Sequence, residues 1–353
     1  MTLLSICIPT YNRPEQIKTL YQTFLSRAFH EYGSQIEIIV CDNSDDEEAS
    51  LNRSNLGPKV HYYKNKVNID FHGNIIQCAK LANGQFIWII SDDDLILWNG
   101  FQSLMDYLPH ASNECIDCIM LPYRNDDFNK NQILNDQHEW GVEKDTNLLI
   151  LLNAVGYSYN HAPFCLFSNA VIRLNKKRLD WVANEFQGNY NIQIPLFLCM
   201  LKPESRLHFL DTVVIQYTAT YHIGLPLPTF YKSMKDVLLF IGREYGVDVT
   251  KASDLLYNKI LSLIMAHRVG ICNYKNTDRL RWSLLTKLPQ HLHIKTVILA
   301  FMVVMPGILI RIPYIFYLSI HYAYANDELS IKKVISNFNE LHHSISLKNK
   351  KYI

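Results

Sequence analysis

The sequence predicts an α/β fold: a mainly parallel central sheet in the amino-terminal part, followed by a helical carboxyl-terminal region. Three observations carry this. Strand and helix signals alternate through residues 1–120, the pattern that builds parallel sheets covered on both faces. Ile87-Trp88-Ile89-Ile90 is an apolar run too short for a helix, and it leads straight into Ser91-Asp92-Asp93-Asp94. Finally, Pro9–Arg13, Asp42–Ser44 and Asp92–Asp94 all fall at the carboxyl ends of predicted strands, the edge at which such sheets bind ligands.

Taken in order, Leu4–Pro9 reads as the first strand, and Ile17, Leu20, Tyr21, Phe24 and Leu25 follow at helical spacing. Ile36–Cys41 and Val60–Tyr63 are the second and third strands. Phe71–Leu81 is a helix ending near Gly84, Phe86–Ile90 the fourth strand, Phe101–Leu108 a helix and Ile116–Leu121 a fifth strand. Beyond residue 122 the pattern loosens. Ala170–Leu174 reads as a strand, Lys176–Phe186 as a helix, Ile192–Leu201 as a buried helix and Leu207–Tyr217 as strand again. From about residue 229 the signal is helical, with Met234–Tyr245, Leu255–Val269 and a last amphipathic helix carrying Ile331, Ile335, Phe338 and Leu341. The expected division is therefore a ligand-binding domain over 1–228 and a helical region over 229–353.

With 353 residues, 48% hydrophobic and 19% charged, the chain has ample material for a core. Its net charge of +1 conceals an asymmetry: residues 1–150 hold 11 Lys/Arg against 21 Asp/Glu, and the remainder 23 against 12. An acidic half argues against a nucleic-acid partner, because phosphate backbones are bound by basic grooves. The basic half suits a membrane surface or an anionic substrate, or is an ordinary solvated surface. Val297–Ile310 is the one long apolar run, broken by Pro306-Gly307. Lys287, His291, His293 and Lys295 precede it, and Tyr314, Phe316, Tyr317 and Tyr322 follow. Those flanks fit a helix lying in a membrane interface across 287–322, and a buried core helix explains the run equally well. Oligomerisation is a further role open to the tail. The eight cysteines are scattered in apolar runs, and Cys115-Ile116-Asp117-Cys118 has no second half, which disfavours zinc. They read as reduced core thiols of a cytoplasmic protein, and the start, Met1-Thr2-Leu3-Leu4-Ser5, has no secretory pattern.

The aspartates carry the chemistry. Three carboxylates at a strand end repel one another unless a cation neutralises them, and clustered Asp oxygens suit Mg²⁺ or Mn²⁺. An acidic turn in water is the alternative. The Thr10-Tyr11-Asn12-Arg13 turn offers a hydroxyl, an aromatic face, an amide and a fixed positive charge, a set suited to a nucleobase, ribose and diphosphate. Asn12 as a simple helix cap is the alternative there.

With these stretches in view, the chain resembles the GT-A-fold nucleotide-sugar glycosyltransferases of the large family 2, particularly bacterial members that build surface polysaccharides. The resemblance rests on Cys7-Ile8-Pro9-Thr10-Tyr11-Asn12-Arg13, Cys41-Asp42-Asn43-Ser44, Asn68 through Asn74, Ala82-Asn83-Gly84 and Ile89-Ile90-Ser91-Asp92-Asp93-Asp94, in the expected order over residues 3–120. It implies a Rossmann-like GT-A domain, a nucleoside-diphosphate sugar donor, and an acceptor hydroxyl on a glycan or glycolipid such as lipopolysaccharide, capsule or a lipid-linked repeat unit. It further implies that Pro9–Arg13 cradles the nucleotide, that Asp42 accepts hydrogen bonds from the base (a turn-forming role being the alternative), and that Asn68 and Asn74 shape the nucleotide pocket. Where the family often has Gly, this chain has Asp70, so the local geometry is expected to differ.

The family's Asp-x-Asp metal motif is shifted here, with Ser91 in its first position. Asp93 aligns best with the metal-binding carboxylate, Asp92 with a ribose contact and Asp94 with the diphosphate or acceptor, and all three are candidate metal ligands. The Glu-Asp pair that commonly supplies the base is missing. Glu185 in Glu185-Phe186-Gln187-Gly188 is the nearest carboxylate, or merely an exposed helix residue, and His222 is a candidate third metal ligand or a structural histidine. The stereochemical outcome stays open. Two other readings compete: a degenerate glycan- or nucleotide-binding protein, favoured by the missing pair, and a sugar nucleotidyltransferase, disfavoured because Pro9–Arg13 has no glycine.

Overall fold

Strand β1 (Leu4–Thr10) is buried on both faces, as expected of the near-continuous apolar run Leu4-Ser5-Ile6-Cys7-Ile8 inside a covered sheet. The structure is a computed structural model describing residues 2–125, 133–135, 137–155, 164, 166–217 and 227–268. After Arg13, Pro14 stands in the first turn of α1 (Pro14–Leu20), where its missing N–H costs nothing. A π-helical turn at Tyr21–Leu25 carries the chain directly into α2 (Ser26–Tyr32), and Gly33, at φ +43°, ends it. Ile17, Leu20, Phe24, Leu25 and Ala28 form the buried stripe that the helical spacing predicts.

Strand β2 (Ile36–Asp42) is followed by α3 (Asp46–Ser54), a helix the apolar pattern does not reveal. Only Ala49 and Asn52 of α3 are buried, and its first turn is acidic, which suits the helix dipole rather than a core. Next come β3 (His61–Lys64), α4 (Asp70–Leu81), β4 (Phe86–Ile89), the short β5 (Leu95–Ile96) and α5 (Trp98–Asn113). Then follow β6 (Cys118–Met120), β7 (Tyr123–Asn125), β8 (Ile133–Leu134), α6 (Gln137–Trp140), β9 (Asp145–Asn147) and α7 (Leu148–Val155). The remaining elements are β10 (Ala170–Arg173), α8 (Leu179–Glu185), α9 (Gln193–Met200), β11 (Arg206–Phe209), β12 (Ile215–Tyr217), α10 (Leu227–Tyr245) and α11 (Thr250–Arg268).

The main sheet runs β3-β2-β1-β4-β10-β6-β11-β9. Its first four strands are parallel, as is β6 with β11, whereas β10 lies antiparallel between β4 and β6, and β9 antiparallel to β11. An apolar run fixes that a strand is interior but not its direction, so the reversal at β10 is invisible in the sequence. A second small sheet has the order β5-β12-β7-β8. One face of the main sheet packs on an aromatic cluster: Phe24 meets Phe101 edge-on at 4.8 Å, and Trp88 stacks on Phe101 at 6.1 Å. At Gly100 the helix lies so close to the chain at 213–214 that a Cβ would stand 2.2 Å from the Val213 carbonyl oxygen.

The Ala82-Asn83-Gly84 motif sits at the opposite edge of the sheet from the aspartates. The Gly84 N–H donates to Ser5 Oγ at 2.7 Å and to Glu37 Oε1 at 3.0 Å, and a Cβ there would lie 2.7 Å from the Ser5 nitrogen. Its role is to start β4 beside β1. Cys7, Cys41, Cys78, Cys118 and Cys199 are free and buried, as expected, and Cys115 is free but exposed.

The chain divides into two compact units, one of Met1–Ile223 with Lys232–Ala252, the other of Gly224–Tyr231 with Ser253–Ile353. The run at 297–310, its flanks over 287–322 and the expected last helix lie outside the described residues. No described helix is long and apolar enough to cross a membrane.

Candidate active site

Because β2, β1 and β4 are adjacent and parallel, with Thr10 in register with Asp42 and Cys7 with Ile89, their carboxyl ends share one edge. That edge joins the Thr10–Arg13 turn to the aspartates. Thr10 Oγ1 donates to Asp92 Oδ2 at 2.7 Å. The Arg13 guanidinium spans two carboxylates, with Nη1 2.8 Å from Asp92 Oδ1 and Nη2 2.6 Å from Asp93 Oδ2. The Ser91 hydroxyl donates to the other Asp93 oxygen, and its N–H donates to Asp94 Oδ2 at 3.1 Å. Ser168 hydrogen-bonds Asp94 from a 3₁₀ turn at Phe167–Asn169, and that turn is itself pinned by Trp88 Nε1 donating to the Ser168 carbonyl at 2.7 Å.

Burial sets the charge state of this loop. It lifts Asp94 to about 7, against the stabilising hydrogen bonds from Ser168 and the Ser91 N–H. It lifts Asp92 to about 6, against the opposing pull of Arg13 and Thr10. Arg13 loses some solvation too, but the attraction of Asp92 and Asp93 outweighs this and holds its guanidinium more firmly charged than usual. Asp93 is the open member of the trio, its side chain 34% exposed against 3% for Asp92. Beside the loop lies a cavity of about 300 Å³, walled by Glu15, Gln16 and Thr19 of α1, by Thr23 of the π-helical turn and by Asp92–Leu95.

The neighbouring β2 end is an internal polar network. Asp42 has no exposed surface, and its carboxylate accepts from the Ser44 N–H at 2.7 Å, Asn52 Nδ2 at 2.8 Å and the Tyr62 hydroxyl at 2.6 Å. Burial and that carboxylate hold Tyr62 protonated. The Ser44 N–H on Asp42 Oδ1 is the turn-forming contact given above as the alternative, and the carboxylate anchors the rim of the site. Asn74 is likewise inside, donating to the Cys41 carbonyl at 2.9 Å and the Thr10 carbonyl at 3.3 Å while accepting from Asn65, so it ties the ends of β1 and β2 together.

Asn12 does not cap α1. It adopts φ +53° and cross-links the two loops, its side chain donating to Asp45 Oδ2 and accepting from the Asp45 N–H, each at 3.0 Å. Pro9 lies opposite Cys41 one residue before the end of β1, and Tyr11 stands half exposed at the mouth. Asn68 is exposed and accepts from the Asp70 N–H at 2.8 Å. Asp70 holds φ +61°, the left-handed conformation that a glycine adopts readily.

Glu185 is not brought to the site. It ends α8, is 45% exposed and pairs with Arg243 Nη1 at 3.5 Å, the exposed helix position given above as its alternative. His222 lies outside the described residues. Asn52, Tyr62, Asn65 and Ser168 are the site-building residues that sequence reasoning missed. Each is an ordinary polar residue outside the matching motifs, and only the fold brings it in.

The donor chemistry fits a hard divalent cation, with three carboxylates on one short loop. In this arrangement, however, Asp92 and Asp93 are engaged by Arg13, and among the described residues no group of three His, Cys, Asp or Glu side chains is disposed to hold one ion.

Comparisons with known proteins agree with the geometry. The chain is 26% identical over 196 residues to an abequosyltransferase of Salmonella typhimurium, covering 53% of this chain and 56% of the relative. It also matches 103 residues of an uncharacterised Mycobacterium tuberculosis protein at 29% identity, covering 29% of this chain and 31% of that one. The chain thus spans about half or less of the length of these curated relatives. Among solved structures, Staphylococcus aureus TarS 1–349 in complex with UDP-GlcNAc superposes with a TM-score of 0.54 at 15% identity, covering 96% of this chain and 92% of that one. At that identity the likeness establishes the fold, a GT-A arrangement. Residues 5–174, which hold the strand order and aspartate loop described above, match the family model described as Glycosyl transferase family 2.

Proposed function

We propose that the chain transfers a sugar from a nucleoside-diphosphate donor to a hydroxyl of a bacterial surface glycan, with Mg²⁺ or Mn²⁺ as cofactor. The observation that carries this reading is the meeting of the Thr10–Arg13 turn with Asp92–Asp94 on one sheet edge, inside the stretch that matches the family. The names of the similar proteins support it, since one is an abequosyltransferase and another binds UDP-GlcNAc.

Tyr11, Asn12 and Asn68 line the open rim and receive the nucleoside, Tyr11 by stacking. Arg13 is the fixed charge for the diphosphate. Asp93, the exposed carboxylate, would hold the cation with Asp92 and Asp94 beside it. Such an ion, when bound, supplies neutralisation of the charge that develops on the leaving diphosphate. Asp42, Asn74 and Asn65 keep the rim rigid without touching ligand. The cavity on the Asp94 side, with its hydroxyl, amide and carboxylate walls, suits a sugar. Asp94 lines that cavity beside Asp92 and Asp93 and is a candidate for proton transfer. The basic and aromatic sequence over 287–322 supports an acceptor at a membrane surface, and flotation with anionic liposomes tests this: a chain that stays wholly in the lipid-free fraction contradicts it.

The reading is tested by incubating the chain with Mn²⁺ and a panel of nucleotide sugars, including UDP-GlcNAc and a nucleotide-linked abequose, and measuring released nucleoside diphosphate. Slow release from one donor is expected. The missing Glu-Asp pair and the outward-facing Glu185 favour a second reading, a non-catalytic glycan- or nucleotide-binding protein, which binds a donor but releases nothing.

A further inference from the structure

Arg13 divides its guanidinium between two consecutive aspartates, 2.8 Å from Asp92 Oδ1 and 2.6 Å from Asp93 Oδ2. The remaining oxygens of that pair are also taken, Asp92 Oδ2 by Thr10 and Asp93 Oδ1 by Ser91. Every oxygen of the two carboxylates therefore has a protein partner before any ligand arrives. Arg13 itself is only partly covered, with 37% of its side chain exposed, and it belongs to the turn that faces the proposed diphosphate. A guanidinium fork meets phosphate oxygens with the same paired geometry that it offers carboxylates, so Arg13 has two alternative partners of similar chemistry.

The geometry points to Arg13 as a latch: it holds Asp92 and Asp93 in the donor-free chain and yields them to a divalent cation when the donor diphosphate takes its guanidinium. This rests on the transferase reading and deepens it, because cation and diphosphate then load together rather than independently. Departure of Arg13 alone would leave adjacent carboxylates repelling one another, and arrival of a cation alone would face an occupied pair.

The test is Mn²⁺ binding to the full chain without nucleotide, followed by loss of the free-ion electron paramagnetic resonance signal. Arg13→Gln is expected to bind Mn²⁺ alone about tenfold more tightly than wild type, the scale of releasing the pairs that a partly exposed guanidinium makes with one buried and one partly exposed carboxylate. Arg13→Lys keeps the charge, but its compact ammonium cannot span both carboxylates, so it too is expected to bind Mn²⁺ more tightly than wild type. Adding UDP should tighten Mn²⁺ binding more in wild type than in Arg13→Gln. Unchanged or weaker Mn²⁺ affinity in Arg13→Gln overturns the latch. So does an Arg13→Lys protein indistinguishable from wild type, which reduces the effect to net charge. Donor turnover by wild type alongside either result sinks the latch alone, whereas absence of turnover with every donor sinks the transferase reading.

Discussion

In the proposed transfer Asp93 is the residue on which the chemistry turns, since it is the exposed carboxylate of the trio. Asp93→Ala is expected to abolish transfer while leaving the thermal midpoint within a few degrees of wild type, checked by donor turnover and calorimetry on the same preparation. Asp94 makes the opposite prediction. Burial lifts it from an ordinary 3.8 to about 7, so between those values the folded chain keeps a proton that the unfolded chain has released. Its ionisation therefore costs stability as pH rises, a cost absent near pH 4 and complete above about pH 7. Asp94→Asn, which keeps an acceptor for the Ser91 N–H, should stabilise the chain on the order of 2–4 kcal/mol at pH 8 and by almost nothing at pH 4. Equal stability at both pH values would contradict the burial argument. Asp70 carries a backbone strain rather than a charge effect. With φ at +61°, Asp70→Gly should stabilise by about 0.5–1 kcal/mol in urea unfolding, and destabilisation would show the left-handed conformation to be wrong.

Among the elements, those with a clear apolar period were legible and those held by polar chemistry were not. The runs at Leu4–Ile8 and Phe86–Ile90 announced interior strands, and Gln193–Met200 a fully buried helix. By contrast α3 buries only Ala49 and Asn52, leaving no 3.6-residue stripe to detect. Strands β7, β8 and β9 have three residues or fewer, below the length at which alternation can be counted. The same division holds at the site. Thr10, Arg13 and the aspartates could be read from motifs, but Asn52, Tyr62 and Ser168 are brought in from other elements by packing alone. The network at the end of β2 gives an element-scale prediction: Tyr62→Phe removes one of three donors to a buried carboxylate and should cost about 1–3 kcal/mol of stability. It should also raise the KM for donor without a matching fall in kcat, because in the proposed site Asp42 holds the rim. At the contact of α5 with the 213–214 segment, Gly100→Ala should cost about 1–3 kcal/mol, since its Cβ would stand 2.2 Å from the Val213 carbonyl oxygen.

At the scale of the whole molecule, parallel topology is what turns separate motifs into one site. Three strands that are distant in sequence end side by side, so Thr10, Asp42 and Asp92 meet although up to 82 residues separate them. That convergence was readable from the alternation of strands and helices, whereas the antiparallel β10 that carries Ser168 toward Asp94 was not. The measurement that tests the account most directly is Mn²⁺-dependent release of nucleoside diphosphate from a panel of nucleotide sugars, compared between wild type and Asp93→Ala. The account predicts release from at least one donor by wild type and none above background by the variant. No release from any donor, or equal release by both proteins, would contradict it.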